Sequence, residues 1–212
     1  MPQETFLNLS EDRKKEIINI GFEEFAQNDF DSASLASIIK KLNLAKGSFY
    51  RYFNTKLDLY IFLGQFADTL VANKFVQYLN SSGKDFFQDW ISFFLSLREI
   101  EKEYPMAIRF RFKTAFEQSK QLVSVDRMEK NHDRTKFMCG ILKSYQEKGL
   151  IRKDIDLEFF SLLMTFFNFA LSEYINIKYE IPFTSPVYSL NEESLKKDVT
   201  NSVSIIKNGV GV

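Results

Sequence analysis

The residues best equipped for chemistry in this chain are the hydrogen-bond donors of a short basic window. Residues 32–57 hold five basic side chains and no acidic one, whereas residues 1–31 hold eight acidic side chains and three basic ones. The basic side chains of the window are Lys40, Lys41, Lys46, Arg51 and Lys56, with Tyr50 and Tyr52 among them. In a chain of 28 basic and 28 acidic residues, this excess indicates either a site for a polyanion or a solvated helix face. Charge alone favours the solvated face.

The single histidine and the single cysteine are the other candidates for catalysis or metal binding. His132 would be the natural general base of an enzyme, and it shares a predicted helix face with Cys139. Their separation of seven residues places their backbones about 10 Å apart along a helix, which makes them poor joint ligands of one zinc ion. The sequence contains no phosphate-binding loop, nucleophile elbow or two-histidine metal motif. We therefore expect no enzymatic activity, no metal and no cofactor, with His132 packing or lining a pocket.

The residues before the basic window have the spacing of an amphipathic helix. Its apolar stripe consists of Ile17, Ile18, Gly21, Phe22, Phe25 and Ala26. Ser10 is placed to cap the start of this helix, and Asn28 and Asp29 are expected to end it because both tolerate the left-handed conformation. Ser34 is predicted to cap a second, short helix, whose inward residues are Leu35, Ile38, Ile39 and Leu42.

A third segment completes a helix-turn-helix pattern. Asn43 is a second candidate for the left-handed conformation, and residues 46–53 follow as a helix with Phe49 and Phe53 on one face. In such a unit the second helix enters the DNA major groove, and here it would present the donors Lys46, Ser48, Tyr50, Arg51 and Tyr52. Gly47 would allow the backbone to approach a groove wall closely. Any small helical bundle also contains such a pair of helices, so the pattern is moderately specific.

The rest of the chain is predicted to be helical. Helices are expected over residues 56–79, 85–103, 106–118, 122–147, 157–179 and 192–207, with Gly149 as a helix cap. Only 8 glycines and 4 prolines occur, so the predicted fold class is all-α. The longest uncharged apolar run, residues 159–172, is shorter than the roughly 20 residues of a membrane span, and no signal-peptide pattern opens the chain. We expect a soluble cytoplasmic protein without a membrane partner.

Residues 14–60 resemble the TetR (tetracycline-repressor) family of one-component transcriptional regulators. The matching features are the capping Ser34, Ile38-Ile39, the turn Asn43-Leu44-Ala45, the run Gly47-Ser48-Phe49-Tyr50, Phe53 and Thr55-Lys56-Leu57. The spacing of Tyr50, Phe53 and Lys56 is the most specific of these. Asp29 and Asn43 stand where the family usually has glycine, and Ala45 replaces the serine that usually caps the recognition helix.

The resemblance implies a two-part homodimer. Residues 1–55 would form a three-helix DNA-binding domain, with the helix-turn-helix motif at about 34–53, and residues 56–212 a helical bundle for ligand sensing and dimerisation. Ser34, Tyr50, Tyr52 and Lys56 would contact phosphates, which set the register on the duplex. Lys46, Gly47 and Ser48 would face base edges.

The stretch from Phe159 to Leu171 is apolar nearly all round, which predicts burial on both sides. It would be either a central core helix or a helix between its own core and a partner subunit. The resemblance favours the second interpretation, since these regulators dimerise through their last two long helices. The predicted interface residues are Phe160, Met164, Phe167 and Leu171.

A ligand cavity or a filled core would both suit the aromatic residues of the C-terminal part. The candidate lining residues are Trp90, Phe94, His132 and Asn168, each an aromatic or an isolated polar group on an apolar helix face. The predicted function is a repressor that leaves a palindromic double-stranded DNA operator when a hydrophobic or aromatic molecule binds, which could be cationic because rings attract cations. The alternative is a helical ligand-binding or structural protein without an inducer switch.

Overall fold

A computed structural model shows the chain as a set of α-helices, and the residues that it describes form no strand. The structure describes residues 1–79, 85–116, 119, 122, 127–182, 186 and 190–209, with the side chains of 115, 116 and 127–134 excepted. In chain order the helices are α1 (Glu4–Leu7), α2 (Glu11–Gln27), α3 (Leu35–Lys41), α4 (Lys46–Phe49), α5 (Lys56–Leu79), α6 (Phe86–Glu103), α7 (Ala107–Phe116), α8 (Arg127–Glu147), α9 (Leu157–Lys178) and α10 (Glu192–Asn208). The all-α prediction is confirmed. No helix within these ranges has the length and apolar character needed to cross a membrane.

The chain packs as two compact units. The first comprises Met1–Val71, Glu99–Lys120 and Thr184–Pro186, and the second Ala72–Arg98, Gln121–Phe183 and Val187–Val212. The functional division predicted between residues 55 and 56 falls inside the first unit, at the start of α5. That division concerns which residues bind DNA, and it stays a prediction.

Helix α2 begins as the sequence predicts but ends differently. The Ser10 hydroxyl accepts the Arg13 N–H at 3.4 Å, which caps the first turn. At the other end, Asn28 is extended, with φ −123° and ψ 145°, so the predicted left-handed ending is wrong. The Asn28 side-chain amide instead donates to the Glu24 carbonyl at 3.1 Å. The backbone N–H of Asn28 donates to the same carbonyl at 3.1 Å, so Asn28 ends the helix with two hydrogen bonds to Glu24.

Aromatic rings build the core of the first unit. Tyr60 of α5 lies between Phe25, Phe30 and Phe110, with ring centroids 5.1, 5.1 and 5.2 Å away. All four rings are buried, and each of the three contacts is edge-to-face, the arrangement that ring quadrupoles favour. The predicted stripe of α2 therefore faces α5 and α7.

The second unit is held by α6, α8, α9 and α10. Phe86 at the start of α6 contacts Tyr145 of α8 and Phe160 of α9, with ring centroids 5.3 and 5.6 Å away. The buried Tyr145 hydroxyl also bonds to the Asp89 carboxylate, at 2.7 Å, and to the Leu79 carbonyl. Burial, reinforced by Asp89, raises the pKa of Tyr145, so this hydroxyl stays protonated.

Most helix limits agree with the sequence prediction to within two residues. Gly149 has φ 73° and follows α8, which confirms it as a helix cap. The α8 limit predicted at Leu122 is untested, because residues 123–126 lie outside the described part of the chain.

Candidate nucleic-acid interface

Helices α3 and α4 form the predicted helix-turn-helix pair. The Ser34 hydroxyl accepts the Ser37 N–H at 3.2 Å, and this bond caps α3. Asn43 has φ 50°, as predicted, and it makes the turn between the two helices. Ala45 gives α4 no side-chain cap.

The second helix of the pair is shorter than predicted. It ends at Phe49, and residues 51 and 52 donate their N–H groups three residues back, to Ser48 and Phe49, at 3.2 and 2.8 Å. The last turn of a short helix commonly tightens in this way, because i→i−3 bonds satisfy carbonyls at the helix end. The predicted helix over residues 46–53 is therefore one helical turn followed by tight turns.

Aromatic packing holds the inner side of this segment. Phe49 and Phe53 are fully buried, and their ring centroids lie 5.9 Å apart. Phe53 also contacts Phe6 and Phe62, at 4.9 and 5.5 Å. The sequence prediction that Phe49 and Phe53 face the same side is confirmed.

The outer side of the segment carries donors that the protein itself does not use. Lys46 and Arg51 are exposed, and among the described residues neither side chain has an ion-pair or hydrogen-bond partner. Tyr50 is 42% exposed. Arg51 is among the predicted donors of the second helix, but neither a phosphate nor a base contact is predicted for it from the sequence. By contrast, Lys41 pairs with Glu23 at 3.0 Å.

Gly47 lies on the same outer side, next to Lys46. A Cβ atom added at this position would meet no atom within 4 Å. The packing of the protein therefore does not require a glycine here. Ser48, the third residue predicted to face bases, is half-buried.

The residues predicted to contact phosphate have different surroundings. Ser34 is exposed, and its hydroxyl uses a lone pair for the helix cap, so its proton remains available. Tyr52 is half-buried, with its ring 6.4 Å from that of Phe6. The Lys56 ammonium points into the protein and donates to the carbonyls of Phe30, Ala33 and Asp31, at 2.6, 3.0 and 3.3 Å.

Of the four predicted ligand residues, Trp90 and Phe94 are buried in the second unit and Asn168 is half-buried there. Trp90 is fully buried, with its ring 5.9 Å from Phe94 and 5.4 Å from Phe167. Trp90 Nε1 and Asn168 Oδ1 are both buried polar atoms without a hydrogen-bond partner. The side chain of His132 lies outside the described residues.

The predicted dimer residues lie mostly in the core of their own chain, and their place in an interface stays a prediction. Phe160, Met164 and Leu171 are buried within their own chain, and Phe167 is half-buried against Trp90, so these side chains leave little surface for a partner. The exposed apolar residues of α9 form a neighbouring stripe, here called the α9 stripe. It consists of Phe159, Leu162, Leu163, Phe166, Tyr174 and Ile177.

The metal and thiol candidates of the sequence analysis have the following surroundings among the described residues. The described part of the chain contains no group of three or more His, Cys, Asp or Glu side chains that could hold a metal ion. Burial, together with the nearby carboxylates of Glu158 and Asp156, raises the pKa of Cys139. The thiol is therefore held in its less reactive protonated form.

Comparison with known proteins agrees with this geometry. Residues 17–61 match the sequence model of bacterial regulatory proteins of the tetR family. A TetR family transcriptional regulator from Chloroflexus aurantiacus J-10-FL is 22% identical, with a TM-score of 0.66 over 99% of this chain and 98% of that chain. The fatty acid degradation regulator FadR from Bacillus halodurans is 15% identical, with a TM-score of 0.71 over 96% of this chain and 98% of that chain.

A gamma-butyrolactone receptor (ArpA-like protein) shares the fold at 12% identity, with a TM-score of 0.60 over 92% of this chain and 98% of that chain. No curated protein sequence matches the chain significantly. The resemblance found in the sequence is thus confirmed: residues 17–61 carry the N-terminal module of the tetR family of bacterial regulatory proteins, and the chain has the fold of that family's transcriptional regulators.

Proposed function

We propose that this protein is a cytoplasmic, sequence-specific transcriptional repressor that binds a palindromic DNA operator as a homodimer and leaves it when a small molecule binds. The observation that carries the DNA-binding part is the outer side of the α3–α4 pair. There, Lys46 and Arg51 have no partner among the described residues, while Phe49 and Phe53 anchor the inner side in the core. Basic side chains held on a rigid support, without internal ion pairs, suit phosphate and base contacts.

The contacts divide by the chemistry that each side chain offers. Lys46, Gly47 and Ser48 are the N-terminal residues of α4. In helix-turn-helix proteins, the N-terminal residues of the recognition helix contact base edges. The Ser34, Tyr50 and Tyr52 hydroxyls and the Arg51 guanidinium are donors that suit phosphate oxygens. Phosphate contacts fix the register, whereas base contacts determine the sequence.

The α9 stripe supports a homodimer. Its large apolar side chains are 37–76% exposed, and residues 159–172 of the helix carry no charge. An apolar face that is free of charge over residues 159–172 is typical of a protein–protein interface. Helix α10 packs beside α9 and adds the exposed Ile205. A second copy of the chain is the occupant that a palindromic operator requires, because two equal half-sites match a two-fold symmetric protein.

The effector is proposed to be a hydrophobic molecule with both a hydrogen-bond acceptor and a donor. The acceptor would bind Trp90 Nε1–H, and the donor would bind Asn168 Oδ1, two buried atoms that otherwise lack partners. Both protein groups are neutral, which favours a neutral ligand such as a hydroxylated or amide-bearing compound over a cation. The solved gamma-butyrolactone receptor bears the name of a neutral ester, which is consistent with this class.

Selection from a random pool of DNA duplexes tests the function. We expect the wild-type protein to enrich a palindromic sequence. Lys46→Ala should relax the preference at particular base pairs, whereas Arg51→Ala should weaken binding to all sequences and reduce its salt dependence. The proposal fails if the wild-type protein enriches no sequence at near-physiological salt.

A further inference from the structure

The segment that leads into α3 is held between two charges of opposite sign. Residues 28–34 connect α2 to α3, and Glu24 of α2 and Lys56 of α5 both bond to this segment. Glu24 is buried and Lys56 is half-buried. Neither bonds to the other; each binds backbone or amide groups of the segment.

Lys56 uses its whole donor capacity inside the protein. A lysine ammonium has three N–H donors, and three carbonyls, of Phe30, Asp31 and Ala33, lie within 2.6–3.3 Å of its nitrogen. The same nitrogen lies 4.6 Å from the centroid of the Phe30 ring. To reach a phosphate, the ammonium would have to give up these contacts and leave carbonyls without a donor. The geometry therefore opposes a phosphate contact.

Glu24 bonds to both ends of the segment, whereas Lys56 bonds to its middle. The Glu24 Oε1 atom accepts the Ser34 N–H at 2.8 Å and the Asn28 side-chain amide at 3.3 Å. Ser34 is the N-cap of α3, so the carboxylate ties the residue that caps this helix to α2. A negative charge at a helix N-terminus also interacts favourably with the helix dipole.

We propose that Lys56 and Glu24 are positioning residues, which orient the helix-turn-helix pair from within the subunit, and that Lys56 does not bind phosphate. The proposal rests on the proposed DNA-binding function. It reverses the role that the sequence resemblance implied for Lys56. It also explains how Ser34 is positioned, since Glu24 accepts the Ser34 N–H and Lys56 donates to the Ala33 carbonyl, the two polar groups of the peptide bond that precedes this residue.

The salt dependence of DNA binding separates the two roles of Lys56. Each phosphate contact contributes about −0.9 to the slope of log K against log[salt]. Losing one contact in each subunit of a dimer would make the slope shallower by about 1.8. Losing a positioning residue should instead lower the affinity by the same factor at every salt concentration.

The experiment compares Lys56→Met and Lys56→Arg with Arg51→Met, an exposed cation on the proposed docking side. On the selected operator, we expect Arg51→Met to make the slope shallower and Lys56→Met to leave it unchanged while the affinity falls. Lys56→Arg should not restore the affinity, because a planar guanidinium cannot direct three donors at the same carbonyls. Hydrogen exchange of the Ser34 and Ser37 amides should accelerate in Lys56→Met, whereas exchange in α9 should not change.

Glu24→Gln provides an independent variant if Lys56→Met does not fold. It should lower the affinity at an unchanged slope and accelerate exchange at Ser34. The proposal is overturned if Lys56→Met makes the slope shallower and Lys56→Arg restores it, or if Glu24→Gln alters neither the affinity nor the exchange. Failure of the wild-type protein to select any DNA would instead overturn the proposed function.

Discussion

At the scale of single residues, Gly47 allows a test that separates DNA contact from stability. A methyl group added there meets no protein atom, yet it would project from the start of the proposed recognition helix. We predict that Gly47→Ala leaves the unfolding free energy unchanged or raises it by about 0.5–1 kcal/mol, because alanine favours helix more than glycine does. The same substitution should weaken operator binding, since the methyl group would meet the groove wall. Thermal unfolding and operator titration measure the two effects.

Gly140→Ala is the matched control for this prediction. Gly140 lies within α8, and a Cβ atom there would also meet nothing within 4 Å. This variant should gain similar stability and bind operator with wild-type affinity. Equal operator affinities for Gly47→Ala and Gly140→Ala would show that α4 does not approach the DNA.

At the scale of elements, one polar cluster joins the last two helices. The Asp198 carboxylate of α10 accepts hydrogen bonds from Lys178 Nζ at 2.5 Å and from the Tyr179 hydroxyl at 2.8 Å. The hydrogen bond from Lys178 is the main cause that lowers the pKa of Asp198, with a further contribution from Tyr179. The hydrogen bond with Asp198 likewise raises the pKa of Lys178. Both shifts favour the charged pair in the folded state.

The direction of these shifts predicts a pH dependence of stability. The pKa of Asp198 is lower in the folded state than in the unfolded state. The ionised carboxylate therefore contributes its full stabilisation at any pH above the unfolded-state pKa, and this stabilisation is lost as the pH falls through the folded-state pKa. We predict that the difference in unfolding free energy between wild type and Asp198→Asn is constant from about pH 5 to 9 and shrinks below about pH 4. Denaturant unfolding across this range measures it. A difference that grows towards acid pH would contradict the assignment.

The elements that the sequence predicted well are those fixed by local chemistry. Ser10 and Ser34 were identified as caps because a cap bonds within three residues of itself, and Asn43 because few residues tolerate its φ of 50°. The buried side of α9 could not be predicted in this way. When a helix is apolar all round, its sequence pattern does not show which side faces the core. Only contacts with other helices, such as that of Phe160 with Phe86, distinguish its two sides.

The candidate site shows the same limit. Gly47 and Lys46 could be placed on the outer side from the helix-turn-helix spacing alone. The surroundings of Lys56 could not be predicted from the sequence, because its three carbonyl partners lie 23–26 residues earlier in the chain and only the tertiary fold brings them to the ammonium group.

At the scale of the whole molecule, the α9 stripe predicts how the protein assembles. Phe166 is 51% exposed and Phe160 is buried, although both are phenylalanines of the same helix. We predict that Phe166→Glu gives a folded monomer with weak operator binding, because a charge in an apolar interface opposes association. Phe160→Glu should instead unfold or aggregate, because it buries an unpaired charge in the core. Sedimentation and circular dichroism distinguish these outcomes. A wild-type protein that sediments as a monomer at micromolar concentration would exclude the proposed dimer.

The proposed switch also belongs to the whole molecule, and the only tryptophan of the chain reports on it. A hydrophobic compound with a hydroxyl or amide group should alter the fluorescence of Trp90 and release the operator. Asn168→Leu should weaken its binding by roughly two- to tenfold, since one hydrogen bond contributes about 0.5–1.5 kcal/mol. The same variant should not lower the affinity of an apolar analogue without the polar group.

Release requires that the compound bind more tightly to a conformation of the dimer that does not fit DNA than to the DNA-bound conformation. A compound with equal affinity for both conformations would not change the equilibrium between them. The sharpest measurement is therefore the affinity of the compound with and without operator. By linkage, a compound that lowers operator affinity by a given factor must itself bind the operator complex more weakly by that factor. If a compound alters Trp90 fluorescence with the same affinity in both cases, the second unit holds a binding site but not a switch, and the proposed regulation is wrong.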